Sequence, residues 1–436
     1  MYVDELLLYR KSKFQKIIRN VNWIYDNYDN EYYNDDDDKK NLLFETVSDI
    51  LKTSAEYGLC GNLWHGILTL LIADNENVYS LNSEFKSSHK GSIRNIAEQD
   101  FALIKKMFDY DFTKIEKKFN INIISILENY DKKDETGNMF DAEIEEKLHK
   151  VSIALSKSLD VKSFADIAEN FYAENGVGKF GLHKAFAISK ETASSETYIE
   201  PITYVEINKL SDIIGYDRQK EKLIANTEAF IQGKAANNVL LFGDSGTGKS
   251  SSIKAIMNEY YSKGLRLIEV YKHQFKDLSA VIRQIKDRNY KFIIYMDDLS
   301  FEDFELEYKY LKAIIEGGLG ERPKNVLIYA TSNRRHLIRE KFSDKPSLED
   351  DLHIRDTVQE KLSLAARFGV TIYFASPDKR EFEKIVRELS NRYNIDMPES
   401  ELLAEANKWE LMHGGLSGRT AVQFISHLLG TYKAKL

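Results

Sequence analysis

Gly243-Asp244-Ser245-Gly246-Thr247-Gly248-Lys249-Ser250 follows the apolar run Val239-Leu240-Leu241-Phe242 and precedes a helical pattern from Ser251 to Tyr260. A buried strand, a glycine-rich turn and a helix that opens on Lys-Ser make up a P-loop. The glycines let backbone N–H groups turn inward on phosphates. Lys249 can reach the β and γ phosphates, the Ser250 hydroxyl can bind magnesium, and the helix that continues through Ser251 adds its N-terminal partial positive charge. The alternative is a chance match in a flexible glycine turn, and the strand before it and the helix after it speak against that.

Outward from this loop, five short apolar runs have the length of buried strands: Val239 to Phe242, Leu265 to Tyr271, Phe292 to Met296, Val326 to Ala330 and Val370 to Phe374. Most are followed by a helical pattern, so a five-stranded parallel α/β sheet with flanking helices is expected. The third run ends in Asp297-Asp298, at the C-terminal edge where open α/β sheets bind ligands. There Asp297 can hold magnesium through water, and Asp298 can orient or accept a proton from an attacking water. Two acids closing a strand in a solvated turn is the plainer alternative, which the upstream P-loop disfavours. The fourth run delivers Thr331-Ser332-Asn333, and Asn333 can hold the attacking water or the γ phosphate; without the other motifs the turn-forming asparagine would be the preferred reading. A guanine-reading Asn-Lys-x-Asp is missing, because neither Asn208-Lys209 nor Asn407-Lys408 carries the aspartate, so adenine is the expected base.

The first 190 residues show helical spacing, as in Leu6, Leu7, Phe14, Ile17 and Ile18 or Leu42, Leu43, Val47, Ile50 and Leu51, without strand-like alternation. Asp35-Asp36-Asp37-Asp38 lacks the glycine and terminal glutamate of a calcium loop and reads as a solvated loop. The segment from Ser189 to Tyr204, rich in Ser, Thr and Glu, reads as a linker. Past the fifth strand, Ser376-Pro377 is a candidate cap, followed by helical spacing from Phe382 to Tyr393, a helix after Pro398 and one opened by Ser417. The expected organisation is therefore a mainly helical domain over 1–190, a linker over 191–204, the α/β nucleotide domain over 205–376 and a helical lid over 377–436. Cys60 is the single cysteine, which excludes an internal disulfide and multi-cysteine metal sites. A net charge of −8 argues against a broad grip on nucleic acid. The start of the chain does not read as a signal peptide, and the longest apolar run, Leu63 to Ala73, falls short of the roughly 20 residues of a membrane span. No membrane association and a cytoplasmic location are expected.

At this point a resemblance becomes explicit. Leu210-Ser211-Asp212-Ile213-Ile214-Gly215-Tyr216 looks like the opening segment of AAA+ modules, which packs near adenine and brings Ile214 and Gly215 to the base. The stretches Asn237 to Asp244, Asp297 to Glu302, Ala330 to Leu337 and Glu360 to Leu364 with Arg367-Phe368-Gly369 resemble a bacterial AAA+ family catalogued as a domain of unknown function. The similarity runs from about residue 205 to the end of the chain and continues faintly around Gly61-Asn62-Leu63-Trp64. It implies an AAA+ P-loop NTPase module with a helical lid, ATP and Mg2+ as cofactors, and assembly into a homo-oligomeric ring. It implies no particular protein client.

By the same resemblance, Arg367, just before the fifth strand, is the finger that enters the neighbour's site, and Arg419, on the last lid helix, senses the γ phosphate in cis. Either arginine alone is more often a surface residue, and it is the order of the motifs that speaks against that. Common AAA+ enzymes end the third strand in Asp-Glu, whereas this chain has Asp297-Asp298, one methylene shorter, with Glu302 as an alternative base. The expected function is an ATPase that couples hydrolysis at subunit interfaces to remodelling or loading of a macromolecular partner. An ATP-dependent assembly switch with little hydrolysis is the second reading, and a nucleic-acid loader a third, weakened by the acidic charge.

Overall fold

The computed structural model describes residues 2–32, 35–85, 91–131, 142–190, 197–203, 205–301, 307–316, 323–333 and 364–431. They fall into two units. One comprises Met1–Lys184 with Pro201–Val205, the other Ala185–Glu200 with Glu206–Leu436.

The first unit is built of helices around Leu63–Ala73, whose residues are almost all apolar and nearly all buried. A helix apolar on every side belongs in the middle of a core, and this one is capped by Asn62, whose side chain accepts from the His65 N–H at 3.0 Å. The helices Gln15–Asn27, Asp36–Tyr57, Ser92–Phe108 and Val161–Asn175 also belong to this unit and bury one face each. One buried polar cluster is fully paired: Arg94 reaches Glu98 at 2.8 Å, Asp166 at 2.8 Å and Glu169 at 2.6 Å, and the Tyr79 hydroxyl donates to Glu169 at 2.7 Å. The aspartate run expected as a loop is instead a helix start. Asp36, Asp37 and Asp38 form the first turn of Asp36–Tyr57, where carboxylates meet the positive end of the helix dipole.

The second unit contains a seven-stranded sheet: β1 (Ala185–Lys190), β2 (Thr197–Pro201), β3 (Val239–Gly243), β4 (Leu265–Glu269), β5 (Lys291–Met296), β6 (Val326–Ser332) and β7 (Val370–Phe374). Their order is β2-β1-β4-β5-β6-β3-β7. Pairing is parallel from β1 through β7, with Val239 opposite both Tyr329 and Val370, and Ile293 opposite Leu267 and Leu327. All five expected strands are present, and β1 and β2 extend the sheet beyond β4. The expectation of helices up to residue 190 and a linker from 191 is corrected at this edge. Ala185-Phe186-Ala187 pairs with Leu267-Ile268-Glu269, and β2 begins within the expected linker. Burial follows position in the sheet: β6, in the interior, is buried at every residue, while β7, at the edge, is only partly so.

Three helices, Lys379–Arg392, Glu399–Met412 and Gly418–Thr431, close over a core of Phe382, Val386, Leu402, Ala421, Phe424 and Ile425. Ile214, from the segment between β2 and β3, is buried in this same core. The cap of the first helix lies two residues beyond the expected Ser376. Asp378 accepts from Glu381 N–H at 2.8 Å while the Glu381 carboxylate accepts from Asp378 N–H at 3.0 Å, a reciprocal pair that satisfies two end groups at once. Ser417 does open the last helix, accepting from Thr420 N–H at 3.1 Å. No helix among the described residues is long and apolar enough to cross a membrane.

Candidate nucleotide-binding site

β3 lies between β6 and β7, and its C-terminal end feeds the glycine-rich loop. Gly243 could be no other residue without a rebuilt backbone: its φ is +135°, and a Cβ there would sit 2.0 Å from Phe374 O. That close approach lets Asp244 N–H donate to Phe374 O at 3.0 Å, while the Asp244 carboxylate accepts from Ser376 N–H at 2.8 Å. The C-terminal end of β7 and the residues just after it are thus tied to the start of the loop. Thr247 closes the turn by donating to Asp244 O at 2.9 Å.

Lys249 is the first residue of the helix Lys249–Tyr260, and its side chain folds back over the loop. Its ammonium donates to Gly243 O at 2.9 Å, Asp244 O at 2.5 Å and Asn333 Oδ1 at 3.0 Å. Burial pulls the Lys249 amine below the ordinary lysine range and Arg419 adds to this, against the opposing pull of Asp244, Asp298 and Asp297. An anion arriving beside this cation pushes the amine back up.

The acids converge on the same wall. Asp297 Oδ1 accepts from Ser250 Oγ at 2.7 Å and from Thr331 Oγ1 at 2.5 Å, while Thr331 Oγ1 accepts from Asp298 N–H at 2.9 Å. Burial pushes the Asp297 carboxyl up, but the hydrogen-bonding hydroxyls of Thr331 and Ser250 outweigh it and hold it below the usual carboxylate range. Asp298 has a left-handed backbone with φ +49°, a conformation that aspartate adopts more readily than most side chains. The turn is enforced on the far side, where Leu299 N–H re-pairs with Thr331 O at 2.7 Å and the Ser332 hydroxyl donates to Leu299 O at 2.7 Å. Asn333 then donates to Asp298 Oδ1 at 2.8 Å. Lys249, Asn333 and Asp298 therefore form one hydrogen-bonded line, with Ser250, Asp297 and Thr331 beside it.

These groups line a cavity of about 620 Å³. Ser245, Gly246, Thr247, Gly248, Lys249, Ser250 and Ser251 form its loop wall, and Asp297, Asp298, Thr331 and Asn333 its strand wall. Asp212, Ile213, Ile214, Tyr216, Ile385, Leu389, Val422 and Gln423 make an end that is mainly apolar. Arg419 joins lid to loop: its N–H donates to Gly246 O at 3.1 Å, and its guanidinium reaches Ser245 Oγ at 3.5 Å. Gly246, with φ +75°, leaves only 2.9 Å between a would-be Cβ and the Arg419 Cβ, so the lid approaches the loop as closely as a glycine permits.

Of the residues expected from sequence, Gly243 and Asp244 hold the loop rather than line the cavity, and Gly215 lies beside Ile214 without lining it. Arg367 is not among the lining residues. It is half-buried in the turn before β7, its N–H donating to Leu364 O at 3.2 Å. Glu302 lies outside the described residues, as do Arg334 to Leu337. Sequence reasoning missed Thr331, which bridges the two aspartates. Its signal was its place two residues before Asn333 on a strand neighbouring that of Asp297. It also missed Gln423, one turn beyond Arg419 on the same lid helix.

The chemistry of the donors fits a polyphosphate and a small divalent cation. The loop offers a helix N-terminus and a lysine, and Ser250 with Asp297 offers hard oxygens of the kind Mg2+ takes alongside water and phosphate. The apolar end has the lining of a site for a flat organic group. The cavity volume lies within the range of small-molecule sites, roughly 300–1,000 Å³.

A parallel sheet of order β4-β5-β6-β3-β7, a P-loop after β3, an acidic pair after β5 and a three-helix lid together make an AAA+ P-loop module. The chain belongs to the family described as "Protein of unknown function (DUF815)", whose model matches residues 182–432. Among curated proteins it is similar to the replication factor C large subunit of Staphylothermus marinus, 33% identical over 79 residues. These are 18% of this chain and 18% of that protein. The corresponding subunit of Methanococcus vannielii is 43% identical over 51 residues, 12% of this chain and 10% of that protein. The chain thus spans less than a fifth of the length of the curated relatives it matches. Among solved structures it is similar to the Thermotoga maritima RuvB Holliday junction branch migration motor, with a TM-score of 0.33 and 14% identity over 51% of this chain and 72% of that one. The FIGL-1 AAA domain in complex with ADP gives a TM-score of 0.35 and 17% identity over 51% of this chain and 73% of that one.

Proposed function

We propose that the protein binds ATP with Mg2+ in this cavity and hydrolyses it in a cytoplasmic homo-oligomeric ring, using the lid to remodel or load a macromolecular partner. The observation that carries the reading is the line Lys249–Asn333–Asp298 running beside Ser250–Asp297–Thr331. In it a phosphate-binding cation, a water-holding amide and a carboxylate base stand within hydrogen-bond reach of one another. The loop N–H groups and Lys249 hold the β and γ phosphates, and Ser250 and Asp297 hold the cation, which when bound neutralises charge on the phosphate oxygens. Asp298 accepts the proton of the attacking water while Asn333 positions it. Arg419, already on the loop, follows the γ phosphate, and Arg367, outside its own cavity, serves the neighbour's. The client is taken to be a protein, since a net charge of −8 gives little electrostatic attraction to nucleic acid.

Asp298→Asn tests the base. The amide keeps the shape and the left-handed turn but takes up no proton. ATP and Mg2+ binding is expected to persist while turnover falls by about 10²–10⁴. Turnover equal to wild type would assign the base elsewhere. The second reading, an assembly switch that binds ATP and rarely cleaves it, is favoured by one observation: Asp298, shorter than the usual glutamate, has Oδ1 engaged by Asn333. Wild-type turnover measured beside ATP affinity separates the two. Tight binding with negligible turnover selects the switch.

A further inference from the structure

Tyr295 stands two residues before Asp297 at the end of β5, so strand alternation directs both side chains to one face. It is 1% exposed, and its hydroxyl makes no aligned hydrogen bond among the described residues. Ser250 and Asp297 are nonetheless the polar groups it faces. A buried hydroxyl without a partner is costly, and phenylalanine at this position would avoid the cost. The tyrosine directly across the ladder shows the contrast. Tyr329 on β6, opposite Tyr295, is equally buried but meets Thr227 Oγ1 at 2.9 Å and Asn226 Nδ2 at 3.0 Å.

The donors around Asp297 leave Tyr295 in reserve. Ser250 and Thr331 each have one hydroxyl proton, and both protons go to Asp297 Oδ1. Ser250 is also the hydroxyl that the proposed site offers to a divalent cation through its oxygen lone pair, so filling the site reorients the hydroxyl whose proton Asp297 now accepts. We propose that Tyr295 is a positioning residue for that cation: with the site filled, its hydroxyl donates to Asp297 and holds the carboxylate toward the metal. The inference rests on reading Ser250 and Asp297 as the cation-facing pair. It concerns a hydroxyl that the P-loop pattern does not ask for, since the strand before the acidic pair needs only to be apolar.

The test compares wild type, Tyr295→Phe and, as a control for loss of a buried hydroxyl, Tyr329→Phe. Binding of a fluorescent ATP analogue is followed while Mg2+ is titrated from an EDTA baseline, and thermal unfolding is measured without divalent cation. Partners that orient metal ligands typically contribute 10–100-fold in metal affinity. For Tyr295→Phe the Mg2+ midpoint is expected to rise about 10-fold, with binding in EDTA unchanged and metal-free melting equal to wild type or higher. Tyr329→Phe is expected to melt earlier and keep the wild-type Mg2+ midpoint. An unshifted midpoint in Tyr295→Phe overturns the proposal. So does metal-free melting lowered as in Tyr329→Phe, because the hydroxyl would then already be partnered. Wild-type binding indifferent to Mg2+ would remove the cation-site reading itself, and Tyr295's role with it.

Discussion

Arg367→Ala is expected to bind ATP as the wild type does and to hydrolyse it about 10³-fold more slowly, the lower end of what arginine fingers contribute in P-loop enzymes. The cavity of the same chain does not include Arg367, so its loss should leave nucleotide affinity alone. A planar, permanently charged guanidinium that forks onto phosphate oxygens suits the charge that spreads over the γ phosphate during transfer, which is why lysine would be a poor substitute. If Arg367 instead only braces the turn before β7, its removal lowers stability and leaves turnover per folded chain intact. Mixed assemblies decide. In the proposed ring, Lys249→Ala subunits would still present a finger and Arg367→Ala subunits a pocket, so co-assembled rings would contain some complete interfaces. Activity above the sum of the two variants alone supports action in trans, and no recovery in verified mixtures contradicts it.

Lys249→Ala is expected to abolish ATP binding at micromolar nucleotide. The substitution removes the cation that folds over the loop and contacts Gly243 O, Asp244 O and Asn333 Oδ1. A hydrogen bond to a charged group contributes about 1.5–3 kcal/mol, or roughly 10–150-fold in affinity. The partly dry setting that holds its amine below the ordinary lysine range raises that figure. Nothing else in the loop replaces its charge, because the remaining donors there are neutral backbone N–H and hydroxyl groups. Equilibrium binding of ATP to the folded variant, with thermal melting as the check on folding, measures the effect. Affinity equal to wild type would remove Lys249 from the phosphate site.

How much of this was legible depended on how local each signal is. The P-loop and the buried runs that became β3 to β7 are contiguous and bounded by turns, so pattern alone located them. β1 was not, because six residues at the end of a helical region say little until Leu267 and Ile268, some eighty positions later, supply the partner strand. Asp36, Asp37 and Asp38 look like solvated charge, yet the helix dipole makes the first turn a favourable place for them. Ser376-Pro377 is a sound cap by composition, but the reciprocal bond between Asp378 and Glu381 wins with two contacts against one. In the site, Lys249, Ser250 and Asp297 follow from spacing. Thr331 between the acids, the left-handed turn at Asp298 and the approach of Arg419 to Gly246 arise only when separate strands and the lid meet.

The central claim is that this cavity is an ATP site, and the most direct measurement is a calorimetric titration of the full wild-type chain with ATP in the presence of Mg2+. The account predicts saturable binding of one nucleotide per chain, weaker for GTP because no guanine-reading motif is present, and strengthened by the cation. No saturable heat with ATP and Mg2+, from protein shown to be folded by its melting transition, would contradict it.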